Sequence, residues 1–168
     1  MYCMHFPGKI VRILFPIPAI LSAVIKMQDS KTLLSSILKT TQMGQVGIRS
    51  ILDRAMRPTL RKALESQLQE YDAIESEAHT IASQRGWELP ELAPGVKGMA
   101  MMMSRARLAG GNTDSKIAGM MIQGNTRGMI TSLKNLHQFN RQDSQVSTLS
   151  QKLLDCETAN IRQMQGYL

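Results

Sequence analysis

Apolar residues recur along most of this chain at alternating spacings of four and three, the signature of helices that each bury one face. Leu34, Leu38, Thr41, Gln45, Ile48 and Leu52 form the first such stripe. It predicts a helix from a cap at Asp29 or Ser30 to about Ala55. Pro58 then suits the first turn of a second helix, where a missing N–H costs little. Its stripe is Leu60, Leu64, Gln67, Tyr71, Ile74, Ala78 and Ile81, with Glu65, Glu70, Glu75 and Glu77 on the outer face and Gly86 as the stop. The short link between the two favours a helical hairpin.

Residues 87–96 hold two prolines and Gly95, which argue for an extended connection. A short helix is expected over about 96–108, closed by Gly110-Gly111. Asn112, Thr113 or Asp114 caps a third long helix reaching about His137, with a stripe of Ala118, Ile122, Thr126, Met129, Leu133 and Leu136. Asp143 or Ser144 caps a fourth, carrying Val146, Leu149, Leu153, Cys156, Asn160 and Met164. Runs of β-branched and aromatic residues are few, which argues against a sandwich or barrel. The expected fold is therefore all-α: an antiparallel four-helix bundle with a short extra helix in the crossover between helices two and three.

Residues 1–27 read differently from 28–168. The run from Ile10 to Ile25 is apolar but is interrupted by Arg12, Pro16 and Pro18. It is shorter than the ~20 residues a spanning helix needs, so no membrane-spanning segment is expected. A weak signal or anchor, a disordered arm, and an extension upstream of a natural start at Met27 all fit. The helix cap just after Met27 favours the last.

Composition narrows function mainly by exclusion. The 168 residues suit one domain, and 43% apolar with 20% charged residues is a globular balance. Three of the 20 basic residues precede Asp29 and no acid does, so the rest of the chain carries 17 against 13. That mild, dispersed excess is not the footprint of a specific nucleic-acid binder. The cluster Arg54, Arg57, Arg61 and Lys62 reads as a solvated helix end. Two cysteines, Cys3 and Cys156, form no disulfide framework or metal knuckle, which fits a reducing cytoplasm. His5, His79 and His137 lie far apart, with no converging partners at helical spacing.

The helix order, Gly44-Gln45 in the middle of helix one, the hairpin to helix two, the Gly110-Gly111 break and the Glu157-Thr-Ala-Asn160-Ile-Arg162 string carry a resemblance. From about Ser30 to Leu168 the chain resembles the ferritin-like superfamily. More closely it resembles an uncharacterised bacterial family of ferritin-like four-helix-bundle proteins, a domain of unknown function. Ferritin-like di-iron proteins place a Glu on each of two helices and a Glu-x-x-His on each of the other two, all pointing inward. Carried over, those places fall at Gln45, at Tyr71 and Ile74, near Thr126 with Gln123 one turn away, and at Glu157 and Asn160. One carboxylate of the family's four remains, and neither His. Two bridged irons need several anionic oxygens, so the resemblance implies no di-iron centre here and no cofactor.

Three further features weigh on function. Met99, Met101, Met102 and Met103 in the short helix, with Met120 and Met121 in the next, offer thioethers that suit Cu(I). Without Cys or His nearby they read better as gap fillers or as an adaptable partner surface. Gly124 and Gly128, four apart on a helix, follow no strand and so make no phosphate loop. They read as a place where a neighbouring helix, in this chain or in a second copy, comes close. Gln45, Gln67 and Asn160 on apolar stripes read as a hydrogen-bonded polar layer, with a small-ligand pocket as the other possibility.

The expectation is a non-enzymatic, metal-free ferritin-like bundle that acts through a protein partner or as a homo-oligomer. Its surface would be the Met-rich short helix with Gly124 and Gly128. The alternative is a divergent iron- or copper-binding relative using Glu157 with Glu70 or Asp72.

Overall fold

The computed structural model describes residues 17–108, 113–138 and 143–168, with side chains from Asp29 onward. Among these the only regular structure is helical, with no strand. The helices are α1 (Ile17–Ile51), α2 (Pro58–Gln84), α3 (Pro94–Arg107), α4 (Thr113–Gln138) and α5 (Ser144–Gln165), and a single 3-10 turn at Leu52–Arg54 joins α1 to α2.

α1 begins earlier than its expected cap. Asp29 and Ser30 lie inside it, and the backbone is already helical from Ile17 through Met27. Pro18 is no obstacle there, because it occupies the first turn, where no backbone N–H is needed. α3 likewise starts at Pro94, two residues ahead of expectation and for the same reason. The breaker Gly110-Gly111 and the cap Asn112 lie outside the described residues, as do residues 1–16.

Side-chain pairs give the directions of the helices. Gln42 bonds Glu75 and Gln45 bonds Asp72, so α1 and α2 run in opposite senses. Gln67 bonds Gln163 and Lys152 bonds Glu77, so α2 and α5 do too. Asn135 bonds Ser36 while Met56 and Arg57 reach Asp114, so α1 and α4 also oppose. The α3 segment follows α1 in the same sense: Leu92 N–H donates to Gln42 Oε1, and Arg105 Nε donates to the Ser50 carbonyl.

The core lies among α1, α2, α4 and α5. Leu34, Leu38, Ile48, Leu60, Leu64, Ile74, Ala118, Val146, Leu149 and Leu153 are buried as their spacing requires. Each large aliphatic side chain removed from water contributes about 1.5–3 kcal/mol. Two junctions fix the ends. Asp114 is buried and accepts the backbone N–H groups of Met56 and Arg57, at 2.8 and 3.0 Å, which ties the start of α4 to the α1–α2 turn. At the other end Gly86 takes a positive φ of 61° to stop α2. Beside it Arg85 pairs with Asp143, stacks on Trp87 at 4.9 Å, and so anchors the residue that caps α5.

Two stripes are rotated from expectation. The buried face of α4 is Ile117, Ala118, Met121, Asn125, Gly128, Ser132 and Leu136. Leu133 is exposed and Thr126 half-buried. On α5 Glu157 is buried where Cys156 was expected, and Cys156 is only half-buried. Both differences have one cause. The true faces include Gly, Asn, Ser and Glu, which a search for apolar periodicity passes over.

Candidate functional site

Three helices bring their least conventional residues together at mid-length. Glu157 of α5 is 2% exposed, Tyr71 of α2 1%, and Asn125 of α4 2%. The Tyr71 hydroxyl donates to Asn125 Oδ1 at 3.0 Å and lies beside the Glu157 carboxyl. Asn160, one turn beyond Glu157, donates to Cys156 Sγ at 3.4 Å. The Cys156 thiol in turn donates to Glu70 at 3.1 Å.

Two glycines make this arrangement possible. A Cβ on Gly128 would stand 2.6 Å from Glu157 Cδ, so the carboxyl lies flat against the bare backbone of α4. A Cβ on Gly44 would stand 2.6 Å from the Tyr71 ring, so that ring lies against α1 in the same way. Neither approach is open to any other residue type.

Burial controls the ionisation here. It pushes the Glu157 carboxyl up to about 8, although the Tyr71 hydroxyl beside it favours the anion. At neutral pH Glu157 is therefore mostly a neutral acid. Burial also raises the Tyr71 hydroxyl, helped by Glu157, and the Cys156 thiol, helped by Glu70. Neither supplies an anionic nucleophile near pH 7. Glu157 Oε2 and Asn125 Nδ2 are buried and have no hydrogen-bond partner among the described residues.

Glu157 also forms the foot of a cleft of about 430 Å³ between α1 and α4, open to solvent on one side. Lys39, Met43 and Gly44 line its α1 wall, and Gly124, Arg127 and Gly128 its α4 wall.

The positions carried over from the ferritin-like resemblance therefore separate into two groups. Tyr71, Glu157 and Asn160 gather around the buried carboxyl, and Ile74 is buried in the same core. Gln45 faces elsewhere, donating to Asp72 and Glu75. Burial would raise the Glu75 carboxyl, but the amides of Gln42 and Gln45 outweigh it and hold the carboxyl below its ordinary range. Gln123 is exposed and accepts from Arg107, and Thr126 returns its hydroxyl to the Ile122 carbonyl. On α1 and α4 the residues that face the centre are Gly44, Asn125 and Gly128.

This donor set does not fit a di-iron centre. It offers one carboxyl where two bridged irons need several anionic oxygens, and Glu70 and Asp72 are engaged by other side chains. Glu70 takes the Cys156 thiol, and Asp72 takes Gln45 and Arg49. Among the described residues no three His, Cys, Asp or Glu side chains stand close enough together to hold a metal ion. Tyr71 is a phenol kept protonated and Asn160 donates rather than accepts, so neither replaces an anionic ligand.

The expected interaction surface is reduced at one end. Met99, Met101, Met102 and Met103 are exposed, as is Gly124. Met121 is buried, Met120 packs against the core and Gly128 is covered by Glu157, so these three leave the surface. Their side of α4 is its inward face. Among the described residues no helix is long and apolar enough to cross a membrane. No family model, curated protein or solved structure matches the chain.

Proposed function

We propose that this chain is a ferritin-like four-helix bundle without redox chemistry, and that it works by docking a protein partner on its Met-rich α3. The opposed directions of α1 with α2, α1 with α4 and α2 with α5, together with a long crossover, support the ferritin-like topology. The uncharged donor set around Glu157 supports a scaffold role.

The observation that carries the docking role is the orientation of α3. None of its 14 residues is buried. Met99, Met102 and Met103 are 63%, 68% and 50% exposed, and Val96 is 48% exposed, while its half-buried positions are Lys97, Ala100 and Ser104. The helix turns small and polar residues toward the body and its flexible apolar ones outward. Solvated thioethers of this kind suit an adaptable contact surface. A helix this short also has little stability of its own in water, so a partner that covers it stabilises it.

Charge favours one kind of partner. α3 carries Lys97, Arg105 and Arg107 and no acid. A two-fold contact between α3 helices of two copies would oppose like charges. An apolar groove rimmed by Asp and Glu meets both features.

The test uses the full chain and a defined probe, an amphipathic peptide with a Leu face and a Glu face. Binding should weaken as salt rises. It should fall at least roughly tenfold in Met99→Ser/Met102→Ser/Met103→Ser, while the melting temperature stays put, because none of the three is buried. An unchanged affinity in that variant removes the docking role. A dimer in light scattering that the same variant dissolves replaces the acidic partner with a second copy. About two irons per chain in purified protein, the di-iron stoichiometry, would remove the scaffold role.

A further inference from the structure

The cleft over Glu157 is separate from the α3 surface and has a chemistry of its own. We propose that it binds a small organic anion, which sets its anionic group between Lys39 and Arg127 and an uncharged oxygen against the Glu157 carboxyl.

The size is suitable, since about 430 Å³ lies in the range of small-molecule sites. The foot is a polar group without a partner among the described residues: Glu157 is 2% exposed, and its Oε2 has no hydrogen bond there. Burying such a group unpaired is costly, so a ligand that meets it gains what the free protein lacks. The walls are opened by glycine. Gly128 leaves room for the carboxyl beside the cleft, and a Cβ on Gly124 would meet nothing within 4 Å.

The charges select the ligand. Lys39 and Arg127 both line the cleft, and neither pairs with an acid among the described residues. Apart from Glu157 the cleft is lined by no acid. A cation would therefore meet two positive side chains and no counter-charge. At the foot, burial keeps the carboxyl protonated at neutral pH, so it can donate to a carbonyl or hydroxyl oxygen without repelling an anion. Two hydroxyls along the walls are already committed as donors: Thr40 and Thr131 donate to the carbonyls four residues back. Ser36 accepts from Asn135 and keeps its own proton. The ionisable contacts are thus two cations and one neutral acid, with the Ser36 hydroxyl beside them. A carboxylate and a phosphate monoester share the chemistry the two cations require.

The experiment follows the glycine amides of the 15N-labelled full chain, which lie apart from other resonances. Levulinate and acetol phosphate are the two probes, one a keto carboxylate and one a keto phosphate. Gly44, Gly124 and Gly128 should shift saturably with one or both, and the stronger identifies the head group. Pentanoate, which lacks the carbonyl, should bind at least roughly tenfold more weakly, the consequence of one unmade hydrogen bond at the foot. (4-Oxopentyl)trimethylammonium, which puts the carbonyl on a cation that cannot condense with it, should leave the glycines unmoved. Gly124→Val fills open space and should abolish the shifts with the helical spectrum intact. If valine disturbs the fold, Gly124→Ala with Lys39→Gln/Arg127→Gln makes the same test. Glycine amides unmoved by both anions would overturn the proposal, as would pentanoate binding as well as levulinate or equal binding when the cleft is filled.

Discussion

Glu157 rests its carboxyl on the Cα of Gly128, in a space where a single methyl group would stand 2.6 Å from Glu157 Cδ. This contact between α5 and α4 explains how an acid comes to be 2% exposed at mid-helix, and why α4 tolerates an interior glycine there. An interior Gly costs a helix about 1 kcal/mol relative to Ala.

Gly124 and Gly128 of α4, one turn apart, should therefore respond oppositely to the same change. Gly128→Ala pushes against a buried carboxyl and should destabilise by about 1–3 kcal/mol despite the gain in helix propensity. Gly124→Ala meets nothing within 4 Å and should stabilise by up to about 1 kcal/mol. Urea unfolding of both variants measures the difference. Equal effects would mean that Glu157 does not lie against Gly128.

Much of the fold was legible because α2 is conventional. All seven residues of its predicted stripe, Leu60 through Ile81, are buried. The site was less legible for a physical reason. On α4 the inward positions after Met121 are Asn125, Gly128 and Ser132, whose burial depends on what a neighbouring helix places against them. The apolar track Ile122, Met129 and Leu133 is the more hydrophobic by sequence, yet it turns toward the edge. In the sequence Glu157 and Gly44 stand out only through the ferritin-like resemblance, and nothing there pairs Gly44 with Tyr71. A spacing search that admits Gly, Asn and Ser as inward residues traces Ile117, Met121, Asn125, Gly128 and Ser132 as one line.

Asp114 should be worth more than its place in a first helical turn implies. It receives the N–H groups of Met56 and Arg57, and Arg57 adds an ion pair at 3.6 Å. Asp114→Ala leaves both backbone donors without their acceptor and should cost about 1.5–3 kcal/mol. Asp114→Asn keeps one acceptor oxygen and should fall between. Hydrogen exchange at Met56 and Arg57 should speed up in step with the loss.

Cys156 should be a slow thiol. Burial raises its ionisation above the ordinary range, and Glu70 and Glu157 add to the effect. In a Cys3→Ser background, which leaves one thiol, iodoacetamide at about pH 8 should label the native chain at least roughly tenfold more slowly than the unfolded chain. Glu70→Gln should recover part of the rate. Native labelling as fast as unfolded labelling would contradict the packing of α5 against α2 at this point.

Stability should depend on pH through Glu157 in a direction unusual for a carboxyl. Its folded value is pushed up to about 8 from an ordinary 4.5. Between those two values the unfolded chain releases the proton while the folded chain keeps it. Stability therefore falls as pH rises through this window, by up to about 1.4 kcal/mol per unit, and levels off above it. Asp143 acts the other way: the Arg85 guanidinium holds it low, so its contribution is lost as pH drops through the acid range. Glu75, held low by Gln42 and Gln45 against its own burial, adds to that acid-side loss. Glu157→Gln should flatten the fall on the alkaline side and leave the acid side as it is.

The proposed scaffold role rests on a neutral carboxylic acid at the meeting point of α2, α4 and α5. The direct measurement is the 13C shift of the Glu157 side-chain carboxyl across pH, assigned by its disappearance in Glu157→Gln. A midpoint near 8 is expected. A midpoint in the ordinary carboxylate range of about 4 would mean that the group is ionised, and either solvated or paired with a cation, at neutral pH.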